Sequence, residues 1–229
     1  MDVGGMIEEC GEGVTQFSPG EAVYARTDPS RNGAYAEYVL ARAEEVAAKP
    51  KMLGPIQAGA MPHAALTAWT LVETANLSNG QTVLIHGAAG GVGHLAVQFA
   101  KLRGARVIGT ASRNIDLLHE IGVDEAINYE TTLFESVARN VDAVFDTVGG
   151  ETQQRSWAVL KPGGFYYPPF SHLRRKPLML MVSGNNSLRQ RRRAARYWRS
   201  LWQWWMPVSS RWLFRRCCLC PKSSVPTLW

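Results

Sequence analysis

Cysteine is scarce in this chain and badly spaced for cross-linking: among 229 residues only Cys10, Cys217, Cys218 and Cys220 carry a thiol. They make a poor disulfide framework, which agrees with a reducing compartment. Long apolar runs are missing too. No stretch approaches the ~20 consecutive apolar residues of a membrane-spanning helix. The opening MDVGGMIEEC has neither the basic start nor the apolar core of a secretory signal. The expected compartment is the cytoplasm. Hydrophobic residues make up 46% of the chain, enough for one good core or two modest ones.

Acid is absent from residue 169 onward, where Arg and Lys number 13 and six of the eight tryptophans fall. The first 168 residues hold all 19 acids against 12 bases, so the net charge of +6 averages a mildly acidic body and a strongly basic tail. Arg191, Arg192, Arg193, Arg196 and Arg199, with Trp198, Trp202, Trp204 and Trp205, fit a helix, but no continuous apolar face results. Residues 171–229 are therefore expected to stay outside the fold. Their composition resembles translation in a shifted reading frame more than an evolved module. Arginines interleaved with aromatics would also suit nucleic acid or an anionic membrane, the weaker reading beside a solvated tail.

The body alternates. GGMIEE, GEGVTQFSPGEAVYA and NGAYAEYVLA read as short strands broken by Gly, Pro and Asn, a small β-rich unit over about 1–60. ALTAWTLVETANLSNG has helical spacing at Leu66, Trp69 and Val72, and QTVLIHG holds the short apolar run of a strand buried on both faces. Helices are expected over 92–103, 113–121, 132–139 and 151–160. Between them fall strands ARVIGT, EAINY, VDAVFD and, after the turn Lys161-Pro162-Gly163-Gly164, GFYYP. Strand and helix in alternation predict an α/β unit over 61–170, a doubly wound parallel sheet of Rossmann type.

The sharpest motif is Gly87-Ala88-Ala89-Gly90-Gly91-Val92-Gly93, between strand VLIHG and the helix that follows. A dinucleotide pyrophosphate needs backbone within hydrogen-bond reach and a helix N-terminus aimed at the anion, and Gly90 and Gly93 allow both. The plainer reading, a tight turn without a ligand, is weakened by the strand before, the helix after and a second strand at the right distance. An acid at the end of that second strand would hold the ribose hydroxyls of NAD. Here the place reads Thr110-Ala111-Ser112-Arg113, and a hydroxyl beside a guanidinium suits the 2′-phosphate of NADPH. Ser112 could equally cap the next helix, with Arg113 solvated; the two readings are compatible.

GEGVTQFSPGEAVYA, GAYAEYV, ALTAWTLVE, VLIHGAAGGVGHLAVQFAKLRGARVIGTAS, GVDEAINY, VDAVFDTVGG and LKPGG, in this order, resemble the quinone oxidoreductase branch of the medium-chain dehydrogenase/reductase superfamily. The resemblance covers roughly residues 2–168. It implies that 1–60 form part of a GroES-like β-barrel catalytic domain, that 61–170 bind NADPH, and that two copies pair as a homodimer. It places Ala89, Gly90, Gly91 and Val92 along the pyrophosphate, with Gly93 closing the motif. Ser112, Arg113 and Tyr129 fall at the 2′-phosphate, Thr67 near the nicotinamide, and Asp146, Val148 and Gly149 on the adenosine side. For Tyr129, packing at a strand end is an equal alternative. The family's earlier barrel strands and the sixth strand of its sheet have no counterpart here.

Zinc-dependent relatives use a Cys, a His followed by Glu, and a second Cys or Asp. In this chain the His-Glu place reads Met1-Asp2, and only ARTDPSR stands where the four-cysteine lobe would be. Cys10 reads as a small barrel residue, and Cys217 with Cys220 as a single C-x-x-C pair too weak for a metal site. His63, His86 and His94 read as packed or solvated side chains. Without a Lewis acid, a quinone or α,β-unsaturated carbonyl is the better hydride acceptor, because it delocalises the charge that a simple ketone would localise. The expectation is a zinc-free, NADPH-dependent quinone or enone reductase, with no catalytic acid or base assigned. The rivals are a cofactor-binding remnant without turnover and a protein whose tail binds nucleic acid or membrane.

Overall fold

The computed structural model describes residues 1–31 and 33–168. The described residues divide between His63 and Ala64 into two compact units. The basic segment and any sixth strand lie outside the described residues.

The first unit is built on three antiparallel strands, β1 (Asp2–Met6), β2 (Ala22–Arg26) and β3 (Val46–Ala48), with β2 in the middle. Helix α1 (Pro55–Ala60) lies against β1 at two glycines: a Cβ on Gly4 would sit 2.7 Å from the Pro55 carbonyl oxygen and 2.8 Å from Gly59 Cα. Val23, Tyr24, Ala25, Leu53, Ala58 and Met61 fill its interior. One expected strand is not formed. Residues 33–41 bend without joining a sheet, and Tyr35, Tyr38 and Leu40 stand exposed. Alternation alone suggested that strand, but these residues pair with neither outer edge of the three-stranded sheet.

The second unit opens with α2 (Pro62–Ala75), which runs on from the first, and continues with β4 (Thr82–His86), α3 (Gly93–Leu102), β5 (Arg106–Ala111), α4 (Ile115–Glu120) and β6 (Glu125–Asn128). It ends with α5 (Phe134–Val137), β7 (Val141–Asp146), α6 (Glu151–Ser156) and β8 (Leu160–Tyr167). All five strands pair in parallel in the order β6-β5-β4-β7-β8. The chain moves one way from β4 to β6 and the other way from β7 to β8. Right-handed crossovers therefore put α3 and α4 on one face and α6 on the other, and the order reverses between β4 and β7. That reversal opens a crevice beyond the carboxyl ends of the strands, where the loops after β4, β5 and β7 meet.

Central β4 is buried on both sides, with Val83, Leu84 and Ile85 fully covered, as its uninterrupted apolar run demands. Leu84, Ile108, Ile127, Val144 and Tyr166 join Phe134 and Val159 in one core cluster. Two helices are shorter than their periodicity suggests. The stretch 132–139 contains only the four residues of α5, and 151–160 only the six of α6. The expected turn at 161–164 lies within β8: Val141 pairs with Leu160 and Ala143 with Phe165, so the extra residues bulge, helped by Gly163 at φ 77°.

Candidate dinucleotide-binding site

The glycines after β4 do different jobs. Gly87 turns the chain at φ 66°, and a Cβ there would press on Thr147 Oγ1 at 2.6 Å. A side chain on Gly93 would collide with the Gly87 carbonyl oxygen and lie 2.8 Å from Ala88 Cα, so this glycine lets α3 start directly against the turn. Gly91 is the contrast: exposed, with nothing within 4 Å of a Cβ placed there. Its lack of a side chain serves no internal packing and leaves backbone open to an approaching group. The loop is pinned by Gly90 N–H to Gly87 O (2.9 Å), Ala88 N–H to Thr110 O (2.9 Å) and His94 N–H to Gly90 O (3.0 Å). The N–H groups of Ala89 and Gly91 have no backbone acceptor among the described residues. Open donors at the start of a ten-residue helix suit an anion. Val92 stands at the cap of that helix, and the His94 ring lies 2.8 Å from the Gly90 carbonyl oxygen, its pKa lowered by burial.

At the end of β5 the structure brings two of the expected residues together. The Tyr129 hydroxyl, carried by the turn after β6, donates to Ser112 Oγ at 2.9 Å, and both side chains stay accessible. Arg113 is exposed beside them and forms no ion pair among the described residues. Asn114, at φ 57°, turns the chain into α4. No acid occupies this strand end. Val148, 59% exposed, is the apolar group of the loop after β7 and lies beside Gly87.

Asp146 ends β7 beneath the loop that carries Val148 and Gly149. Its side chain is buried, and its carboxylate accepts from the N–H groups of Val148 and Gly149 (both 2.8 Å) and from the Tyr166 hydroxyl (2.6 Å). Through these bonds Asp146 shapes the loop after β7 from below. Gly149, at φ 83°, contributes backbone to the same turn. Thr67 stands half-buried in the middle of α2, between inward-facing Ala68 and the exposed Thr70.

Asp2, at the His-Glu place of the zinc-dependent relatives, and Cys10 both bond within the first unit. Asp2 Oδ1 accepts the His63 N–H at 2.9 Å, and burial raises its pKa. The Cys10 thiol donates to the Phe17 carbonyl at 3.4 Å. Among the described residues no three His, Cys, Asp or Glu side chains converge as metal ligands.

A feature that sequence reading missed lies just beneath the glycine turn. His86 is fully buried, with Nδ1 3.1 Å from Thr110 Oγ1 and Nε2 3.0 Å from Ser156 Oγ. Thr147 Oγ1 donates to the His86 carbonyl at 2.7 Å. The one hint in the sequence is a histidine closing an apolar strand run immediately before the glycines.

Residues 91–166 match the zinc-binding dehydrogenase family model. The mitochondrial NAD(P)H oxidoreductase RTN4IP1 of Danio rerio is 38% identical over 170 residues, which is 70% of this chain and 44% of that protein. The 2-haloacrylate reductase of a Burkholderia species is 37% identical over 175 residues, 72% of this chain and 52% of that one. Among solved structures, Escherichia coli quinone oxidoreductase complexed with NADPH superposes with a TM-score of 0.68 at 28% identity, covering 81% of this chain and 57% of that one. The chain thus spans about half the length of these relatives. The parallel sheet, the glycine turn at its switch point and these similarities agree: the chain belongs to the medium-chain dehydrogenase/reductase superfamily, in its quinone oxidoreductase branch.

Proposed function

We propose that this protein is an NADPH-dependent reductase of quinones or α,β-unsaturated carbonyl compounds, working without zinc and as a homodimer. The observation that carries the cofactor choice is the acid-free end of β5, where two hydroxyls, of Ser112 and Tyr129, stand beside the Arg113 guanidinium, which forms no ion pair among the described residues. A 2′-phosphate offers those groups charge-assisted hydrogen bonds, whereas the ribose hydroxyls of NADH would find no carboxylate. Ala89, Gly90, Gly91, Val92 and Gly93 would hold the pyrophosphate with backbone donors and the α3 N-terminus, and Val148 would flank the adenosine. When bound, the nicotinamide supplies a hydride. The protein's share is to fix the dinucleotide's orientation so that proximity carries the rate. The names of the relatives, a quinone oxidoreductase and a haloacrylate reductase, support an electron-poor acceptor.

Acceptor-dependent oxidation of NADPH tests the reading, with a naphthoquinone and an α,β-unsaturated ketone as probes. The expected result is turnover with at least one of them, unchanged by a chelator, in protein holding less than stoichiometric zinc. Zinc at one equivalent per chain, with chelator-sensitive rates, would contradict it. Binding without turnover would leave only a dinucleotide-binding role. Cytoplasmic residence is part of the proposal and is checked by cell fractionation, since RTN4IP1 is named as mitochondrial.

A further inference from the structure

Ser156 Oγ donates its single proton to the Thr152 carbonyl at 2.6 Å, so toward His86 it can only accept. The proton between them must sit on His86 Nε2. In the neutral ring Nδ1 is then an acceptor, and it takes the Thr110 hydroxyl proton. Every polar atom of this buried triad is thereby satisfied in one arrangement only. Packing fixes the ring as well, with Phe134 edge-on at 4.6 Å between centroids.

The partners belong to different cofactor-facing elements. His86 is the last residue of β4 and immediately precedes the glycine turn. Thr110 pairs with it across the sheet, gives its carbonyl to Ala88 N–H within that turn, and lies two residues before Ser112. Ser156 ends α6, and Thr147, bonded to the His86 carbonyl, begins the loop that carries Val148. One imidazole therefore braces the phosphate turn against the end of β5, while its backbone braces the loop after β7. The charged groups facing it are Asp146 at the end of β7, Glu135 on α5 and Arg155 on α6, the last two paired with each other.

We propose that His86, as the neutral Nε2–H tautomer, is a positioning residue for the dinucleotide: it fixes the pyrophosphate turn relative to the 2′-phosphate shelf. This rests on the cofactor reading above. Thr110→Val keeps the shape and removes the hydroxyl donor. His86→Leu removes both ring bonds. His86→Asn puts an amide oxygen near the Nδ1 place, where it can accept from Thr110 again. Val144→Ala, in the β7 interior, is a control for simple loss of packing.

NADPH and NADH affinities of the full chain are measured by fluorescence titration beside each variant's melting temperature. Thr110→Val and His86→Leu should weaken NADPH by about 3- to 10-fold, the size of one or two lost hydrogen bonds. His86→Asn should recover most of that loss, and Val144→Ala should change affinity less than about twofold even at an equal drop in melting temperature. Unchanged affinity in Thr110→Val, or an equal loss in Val144→Ala, would overturn the proposal. If His86→Leu fails to fold, Thr110→Val alone decides, together with the imidazole nitrogen shifts of wild type, where an Nδ1–H tautomer would also overturn it. A wild type that prefers NADH would refute the cofactor choice and leave positioning to be read through NADH. One that binds neither dinucleotide would overturn both.

Discussion

Glycines that look alike in the string Gly87-Ala88-Ala89-Gly90-Gly91-Val92-Gly93 separate once their surroundings are known. Gly93→Ala forces a methyl into the Gly87 carbonyl and should cost about 1–3 kcal/mol of stability, as overpacking does. Gly91→Ala meets nothing and should leave the melting temperature unchanged while weakening dinucleotide binding. Thermal melts paired with cofactor titrations check both, and equal stability loss at the two sites would refute the distinction. His86 makes a second prediction. Burial holds its pKa down from 6.5 to about 4, so the folded state refuses a proton that the unfolded chain accepts. Stability from this group is full above 6.5 and falls as pH drops toward 4, by at most about 3 kcal/mol. His63 and His94, also lowered by burial, push the same way. The His86 share is therefore the difference between wild type and His86→Asn in denaturant melts across that range, and parallel pH profiles would contradict it. The glycine motif and the missing acid were legible in the sequence because they depend on local backbone needs. The occupation of Asp146 was not, because its partners include Tyr166, 20 residues away and brought near only by the sheet.

At the scale of elements, legibility followed how much each segment depends on distant partners. The apolar run of β4 and the apolar face of α3 were readable because burial on two faces, or on one stripe, writes itself into residue order. Helix α5 was overestimated. Its four residues are held by Phe134 in the core, with Arg155 over the Phe134 ring and ion-paired to Glu135, contacts that no periodicity announces. The β8 bulge hid for the same reason, since Lys-Pro-Gly-Gly reads as a turn unless the pairing with β7 is known. In the first unit β3 was missed, being three residues long, and the strand expected within 33–41 pairs with no other strand, since alternation names no pairing partner. The core cluster supplies a prediction here. Leu84→Ala, at the centre of the middle strand, should destabilise the second unit by about 2–5 kcal/mol in denaturant melts. A cost under about 1 kcal/mol would mean the cluster is not the core.

For the molecule as a whole, charge sharpens the cofactor question. The full chain is net +6, but its first 168 residues carry 12 basic against 19 acidic groups, so under the proposed cofactor choice a body of net negative sign would hold a dinucleotide bearing an additional phosphate. A local cation can do this, and Arg113, exposed and without an ion pair among the described residues, is placed for it. Raising the salt concentration should then weaken NADPH more than NADH, because screening acts on the exposed Arg113 contact that, in the proposed mode, only NADPH would make. The most direct test is calorimetric titration of the full chain with NADPH and with NADH, repeated on Arg113→Ala. The account predicts tighter binding of NADPH, with the gap narrowed by about 1–3 kcal/mol in the variant. Superimposable curves for the two cofactors in the wild type would contradict it.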